Sequence, residues 1–114
     1  MDAKELIGET LAFIDVGGDE IQLTTASGRI IKIMHYQNCC ESVSIQDTKG
    51  DWHSLVGKVL TEVTHDEEDG NTGESSTLTT LTFKAGDETV INRWIGESNG
   101  YYSESVSLEE LAKK

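Results

Sequence analysis

The sequence predicts an α+β fold of mostly antiparallel β-structure, built from two pseudo-repeats of a helical turn plus four strands that share one core, with a short C-terminal helix. Three observations predict it. Glu5-Leu6-Ile7-Gly8-Glu9-Thr10-Leu11-Ala12-Phe13-Ile14 recurs in outline as Ser54-Leu55-Val56-Gly57-Lys58-Val59-Leu60-Thr61-Glu62-Val63. Further along, Glu41-Ser42-Val43-Ser44-Ile45 recurs as Glu104-Ser105-Val106-Ser107-Leu108, in the same order. Between these markers apolar and polar residues alternate with a period of two, the pattern of half-buried strands. The 114 residues suit a single domain, with one copy spanning about residues 5–50 and the other about 54–114. Each copy alone is too short to bury a dependable core, so the two are expected to share one.

Asp2-Ala3-Lys4-Glu5 has the spacing of a helix start and Gly8 that of a stop, which predicts one helical turn. Asp51-Trp52-His53-Ser54-Leu55-Val56-Gly57 repeats the arrangement. A strand follows each glycine, at Leu11 to Val16 and at Val59 to Thr64. Two hairpins come next. Ile21, Leu23 and Thr25 lead to Ser27-Gly28, after which Ile31, Ile33 and His35 share one face of the return strand. In the second copy Leu81 and Phe83 lead to Ala85-Gly86-Asp87, and Val90, Asn92 and Trp94 alternate with Ile91, Arg93 and Ile95. The fourth strand of each copy carries the Glu-Ser-Val-Ser repeat, which puts Glu41 and Glu104 at the start of apolar faces. An acid there needs either a sheet edge or a partner. Ser107-Leu108-Glu109-Glu110 has capping-box spacing and predicts the short terminal helix.

With 21 acidic and 9 basic side chains the formal charge is −12, spread over both halves. Phosphate affinity comes from Lys and Arg, so direct nucleic-acid binding is not expected; a basic partner surface is. No charged-then-apolar leader opens the chain and no apolar run approaches the ~20 residues of a membrane helix, so a cytoplasmic protein is expected. Cys39 and Cys40 are adjacent, and neighbours on an extended backbone point apart, which disfavours a bond between them and fits a reducing compartment.

One insertion distinguishes the second copy. Residues 65–76 hold Asp66, Glu67, Glu68, Asp69 and Glu74, with two glycines and no apolar residue, and are expected to form an exposed mobile loop serving as an acidic interface. The D-x-[DN]-x-[DN]-G spacing of a calcium loop is missing.

Just before each repeated fourth strand lies a polar cluster: His35-Tyr36-Gln37-Asn38-Cys39-Cys40-Glu41 and Glu97-Ser98-Asn99-Gly100-Tyr101-Tyr102-Ser103-Glu104. These segments, with Leu55-Val56-Gly57 after the first and Trp94 and Gly96 before the second, resemble a small domain of unknown function encoded by many bacteriophages and prophages. The likeness covers nearly the whole chain. Asn38 departs from the aspartate usual there, and the residues around Trp94 vary. The resemblance implies a phage or prophage origin and no established activity.

His35, Cys39 and Cys40 offer zinc-ligand chemistry, yet adjacent cysteines rarely turn both sulfurs to one tetrahedral ion. A cysteine nucleophile assisted by His35 would need an activating environment, and acidic surroundings raise a thiol's pKa. No cofactor, metal or catalytic residue is therefore assigned, and the chain is read as non-enzymatic. His53 and His65 are read as surface histidines, Trp52 and Trp94 as core. Two functions remain. In one, an acidic inhibitor occupies a basic nucleic-acid-binding surface on a bacterial protein. In the other, the two polar clusters form a pocket for a small molecule or nucleotide signal, with His35, Gln37, Asn38, Glu41, Asn99, Tyr101, Tyr102 and Glu104 as binding residues. That pocket would draw its cations from Arg29, Lys32, Lys84 and Arg93.

Overall fold

In the computed structural model, which describes residues 2–36, 41–69, 75–98 and 104–111, eight antiparallel strands form two four-stranded sheets. The strands are β1 (Leu11–Gly17), β2 (Glu20–Thr25), β3 (Ile30–Met34), β4 (Ser42–Lys49), β5 (Glu62–Asp69), β6 (Ser75–Ala85), β7 (Glu88–Ser98) and β8 (Ser107–Leu111). Their order is β1-β2-β3-β8 in one sheet and β4-β7-β6-β5 in the other. Each sheet thus takes three strands from one half of the chain and its fourth from the other half. Ile33 of β3 lies opposite Leu108 of β8, and Trp94 of β7 lies opposite Ile45 of β4.

Two short 3-10 turns, Ala3–Leu6 and Trp52–Leu55, precede the first strand of each half. Asp2 and Asp51 cap them through their carboxylates, which accept from the Lys4 and His53 amides at 3.0 and 2.9 Å. With three residues per turn, positions three apart share a face. Accordingly Ala3 and Leu6 are buried in the first turn, and Trp52 and Leu55 in the second. The chain then leaves each turn through a left-handed glycine, Gly8 at φ 95° and Gly57 at φ 84°, a backbone that disfavours any residue with a Cβ. Gly8 N–H donates to the Leu60 carbonyl at 2.8 Å, and Gly57 N–H donates to the Leu11 carbonyl at 2.7 Å. The sequence comparison aligns Gly8 with Gly57 and Leu11 with Leu60, so these two bonds are reciprocal. Thr10 and Val59, which it also aligns, bridge to one another.

Both sheets feed one apolar cluster. Ile14, Ile21, Leu23, Ile31, Ile33 and Leu108 contribute from the first sheet; Val63, Leu81, Phe83, Val90 and Trp94 contribute from the second. Trp52 meets Phe83 edge to face, with centroids 5.2 Å apart, a geometry favoured by the ring quadrupoles.

The α+β expectation is corrected by this architecture: the described residues hold strands and 3-10 turns, and the fold is all-β. The terminal segment expected as a helix is β8, paired along β3 from Met34↔Ser107 to Ile30↔Leu111. A capping box is a local signal worth about 1 kcal/mol, and a helix this short is marginal in water. Pairing instead satisfies the open edge of β3 and buries Leu108. Residues 65–76 are likewise no loop throughout. His65–Asp69 continue β5, each residue in register with β6 from His65↔Leu81 to Asp69↔Thr77. An edge strand needs only one neighbour, so exposed acids are tolerated there and even discourage pairing with other chains.

Candidate functional site

Beyond the end of β3, His35 is held at both ring nitrogens. Nδ1 lies 2.7 Å from the Ser105 carbonyl, and Nε2 lies 2.9 Å from Glu41 Oε2. A carbonyl only accepts, so Nδ1 carries its proton. Nε2 then faces the Glu41 carboxylate. Both side chains are almost wholly enclosed, at 5% and 0% exposure, and a buried carboxylate requires such a partner.

Glu104 starts β8's approach as Glu41 starts that of β4, and it too is buried. Its partners differ. Thr77 Oγ1 donates to Oε1 at 2.7 Å and Ser98 Oγ to Oε2 at 2.5 Å. The strand register explains the substitution. Ser107 lies opposite Met34 and Ser44 opposite Ile95, so the residue after each, His35 and Gly96, occupies matching ground. Where one half places an imidazole, the other has no side chain. A Cβ on Gly96 would lie 2.8 Å from Glu104 Cβ and 3.1 Å from Val43 Cγ2, so Glu104 and Val43 fill that space and the hydroxyls of β6 and β7 hold the acid. Deeper in the same sheet Trp94 Nε1 donates to Asn92 Oδ1, and Asn92 Nδ2 donates to Thr48 Oγ1 at 2.9 Å. This satisfies a fully buried amide on the apolar face of β7.

Of the residues expected to form a pocket, His35, Glu41 and Glu104 are therefore inward-facing links. His35 joins the first half to Ser105, the neighbour of Glu104, so the two segments adjoin. Gln37, Asn38, Asn99, Tyr101 and Tyr102 lie outside the described residues, as do Cys39, Cys40 and Glu74. Each of the four cations considered for a nucleotide is matched by a carboxylate. Arg29 bridges Glu110 at 2.7 Å and Glu9 at 2.8 Å and donates to the Glu5 carbonyl. Its hydrogen bonds to Glu110 and then to Glu9 raise its pKa further above an already high value. Lys32 pairs with Glu20, Lys84 with Glu62 at 3.3 Å and Arg93 with Asp47 at 3.9 Å. Among the described residues, no group of three or more His, Cys, Asp or Glu is placed to hold a metal ion, and no helix is long and apolar enough to cross a membrane.

The family model described as "Domain of unknown function (DUF7448)" matches residues 4–108. The chain belongs to the DUF7448 family. No curated protein and no solved structure matches it. In this DUF7448 chain the matched span includes both buried glutamates and the whole acidic strand β5, where Asp66, Glu67, Glu68 and Asp69 are all exposed. Sequence reasoning identified the need for partners at Glu41 and Glu104 but missed Ser98, Thr77 and the Ser105 carbonyl. Ser98 does sit in a singled-out polar cluster. Thr77, by contrast, is one of several threonines on β6 and carries no distinguishing signal.

Proposed function

We propose that this chain is a non-enzymatic acidic binding protein of phage or prophage origin, which inhibits a bacterial defence protein by occupying its basic, nucleic-acid-binding surface. The observation that carries the reading is the row Asp66–Asp69 on the edge strand β5. An antiparallel strand advances about 3.4 Å per residue, and a single strand of duplex DNA presents one phosphate per about 3.4 Å of axis. Counted over both faces, between which the side chains alternate, four consecutive carboxylates on β5 thus carry a comparable charge density along the strand axis. Pairing with β6 holds them extended, so little ordering cost attends association. The host cytoplasm is the compartment this reading requires.

The alternative, a pocket for a nucleotide signal, needs unpaired cations near phosphate. Arg29, Lys32, Lys84 and Arg93 instead face carboxylates of their own chain, which favours the acidic-surface reading.

Affinity capture from bacterial lysate, followed by binding kinetics of the captured protein at two salt concentrations, tests the proposal. Glu67→Lys with Glu68→Lys is expected to slow association and flatten its salt dependence, because steering charges act on the on-rate. Tyr101→Ala is expected to matter less. Binding that ignores salt and charge reversal yet is lost with Tyr101→Ala would sink the reading in favour of pocket recognition.

A further inference from the structure

A second surface, independent of the β5 row, lies along the other sheet. A groove of about 630 Å³ runs between Phe13, Asp15 and Val16 of β1 and the Asp51, Trp52 and His53 segment of the second turn, a volume within the range of ligand clefts. Phe13 is 59% exposed and Val16 47%, unusual for large apolar side chains on a strand. Trp52 forms the floor, with its ring against Phe83. β1 ends its sheet. Among the described residues its outer edge is engaged only near Leu11, by the Val56 bridge and the Gly57 amide. From Phe13 to Val16 the edge opens onto the groove, and unpaired strand backbone is a template for an added strand.

Charge selects the occupant. Among the described residues, the carboxylates lining the groove are Asp15 and Asp51, and no Lys or Arg lines it. Asp51 already caps the His53 amide, whereas no described ion pair or hydrogen bond engages Asp15. A second copy of this chain added antiparallel along β1 would bring like charges together, Asp15 near Asp15, between molecules of formal charge −12. We propose that the β1 edge takes up an extended basic segment of another protein, which adds a strand, sets an apolar side chain against Val16 and Trp52 on one face, and on the other places a Lys or Arg beside Asp15 with its aliphatic stem along Phe13.

The test uses a fluorescein-labelled peptide of alternating valine and lysine, about eight residues long to match an ordinary strand, beside its valine–glutamate counterpart. Polarisation measures affinity, and tryptophan emission reports contact at Trp52. The lysine peptide is expected to bind and perturb the emission. Asp15→Lys is expected to weaken it roughly tenfold or more, as is Phe13→Ser, while Asp87→Lys on the exposed β6–β7 turn leaves it unchanged. Asp15 and Phe13 are exposed, so both variants should keep the wild-type unfolding midpoint. Equal affinity for the glutamate peptide, or equal losses from Asp15→Lys and Asp87→Lys, would overturn the proposal. Self-association of the free chain that Phe13→Ser abolishes would assign the groove to a second copy and overturn it too.

Discussion

His35 is the residue whose removal tests the buried network most directly, because its imidazole answers Glu41 on one side and the Ser105 carbonyl on the other. His35→Ala removes the imidazole partner of a carboxylate with no exposure, and the expected loss is about 3 kcal/mol in denaturant unfolding. Gly96→Ala should cost about 1–3 kcal/mol in the same assay, since the added Cβ would meet Glu104 Cβ at 2.8 Å and its backbone oxygen at 3.0 Å, and backbone cannot swing aside. The opposite sign is expected at Thr79. Its Oγ1 is buried and finds no hydrogen-bond partner among the described residues, so Thr79→Val should raise stability by about 1 kcal/mol. The residues of these contacts differ in how far the sequence exposes them. Glu41 and Glu104 stand out because an acid opening an apolar face demands an answer; Gly96 and Thr79 do not, because their importance lies in distances to residues on other strands.

Among the elements, β5 and β8 carry the lessons of misreading. Local chemistry, a run of charge over His65–Asp69 of β5 and a capping-box spacing in β8, points away from strand, and both are strands because a neighbouring strand offers backbone bonds that local chemistry cannot anticipate. The hairpins β2–β3 and β6–β7 were legible, since alternation and a turn residue suffice when the partners are adjacent in sequence. For β5 the acids have an element-level consequence. Replacing Asp66 and Glu68 by threonine keeps β-propensity while stripping charge from a terminal strand. Sedimentation velocity should then show concentration-dependent self-association that the wild type resists; a strictly monomeric variant would mean that the acids do not protect this edge.

Over the whole molecule, the exchange of fourth strands was the least legible feature, because periodicity says which face is buried and nothing about which sheet receives a strand. It binds the halves to one another: neither sheet is complete without the other half. Residues 1–50 and 51–114, made as separate chains, should each lack cooperative unfolding. Mixed, they should fold together with a midpoint that rises with concentration; a separately folded half would contradict this. The same exchange bears on how the chain acquires its structure. β3 meets β8, with Ile30 set against Leu111, so β3 leaves the ribosome well before the strand that completes its edge. Distant pairings of this kind form slowly, and the Ile30, Ile31 and Ile33 run lacks its cover in the interval. Nascent chains of this protein should therefore depend on holding chaperones far more than its modest size suggests.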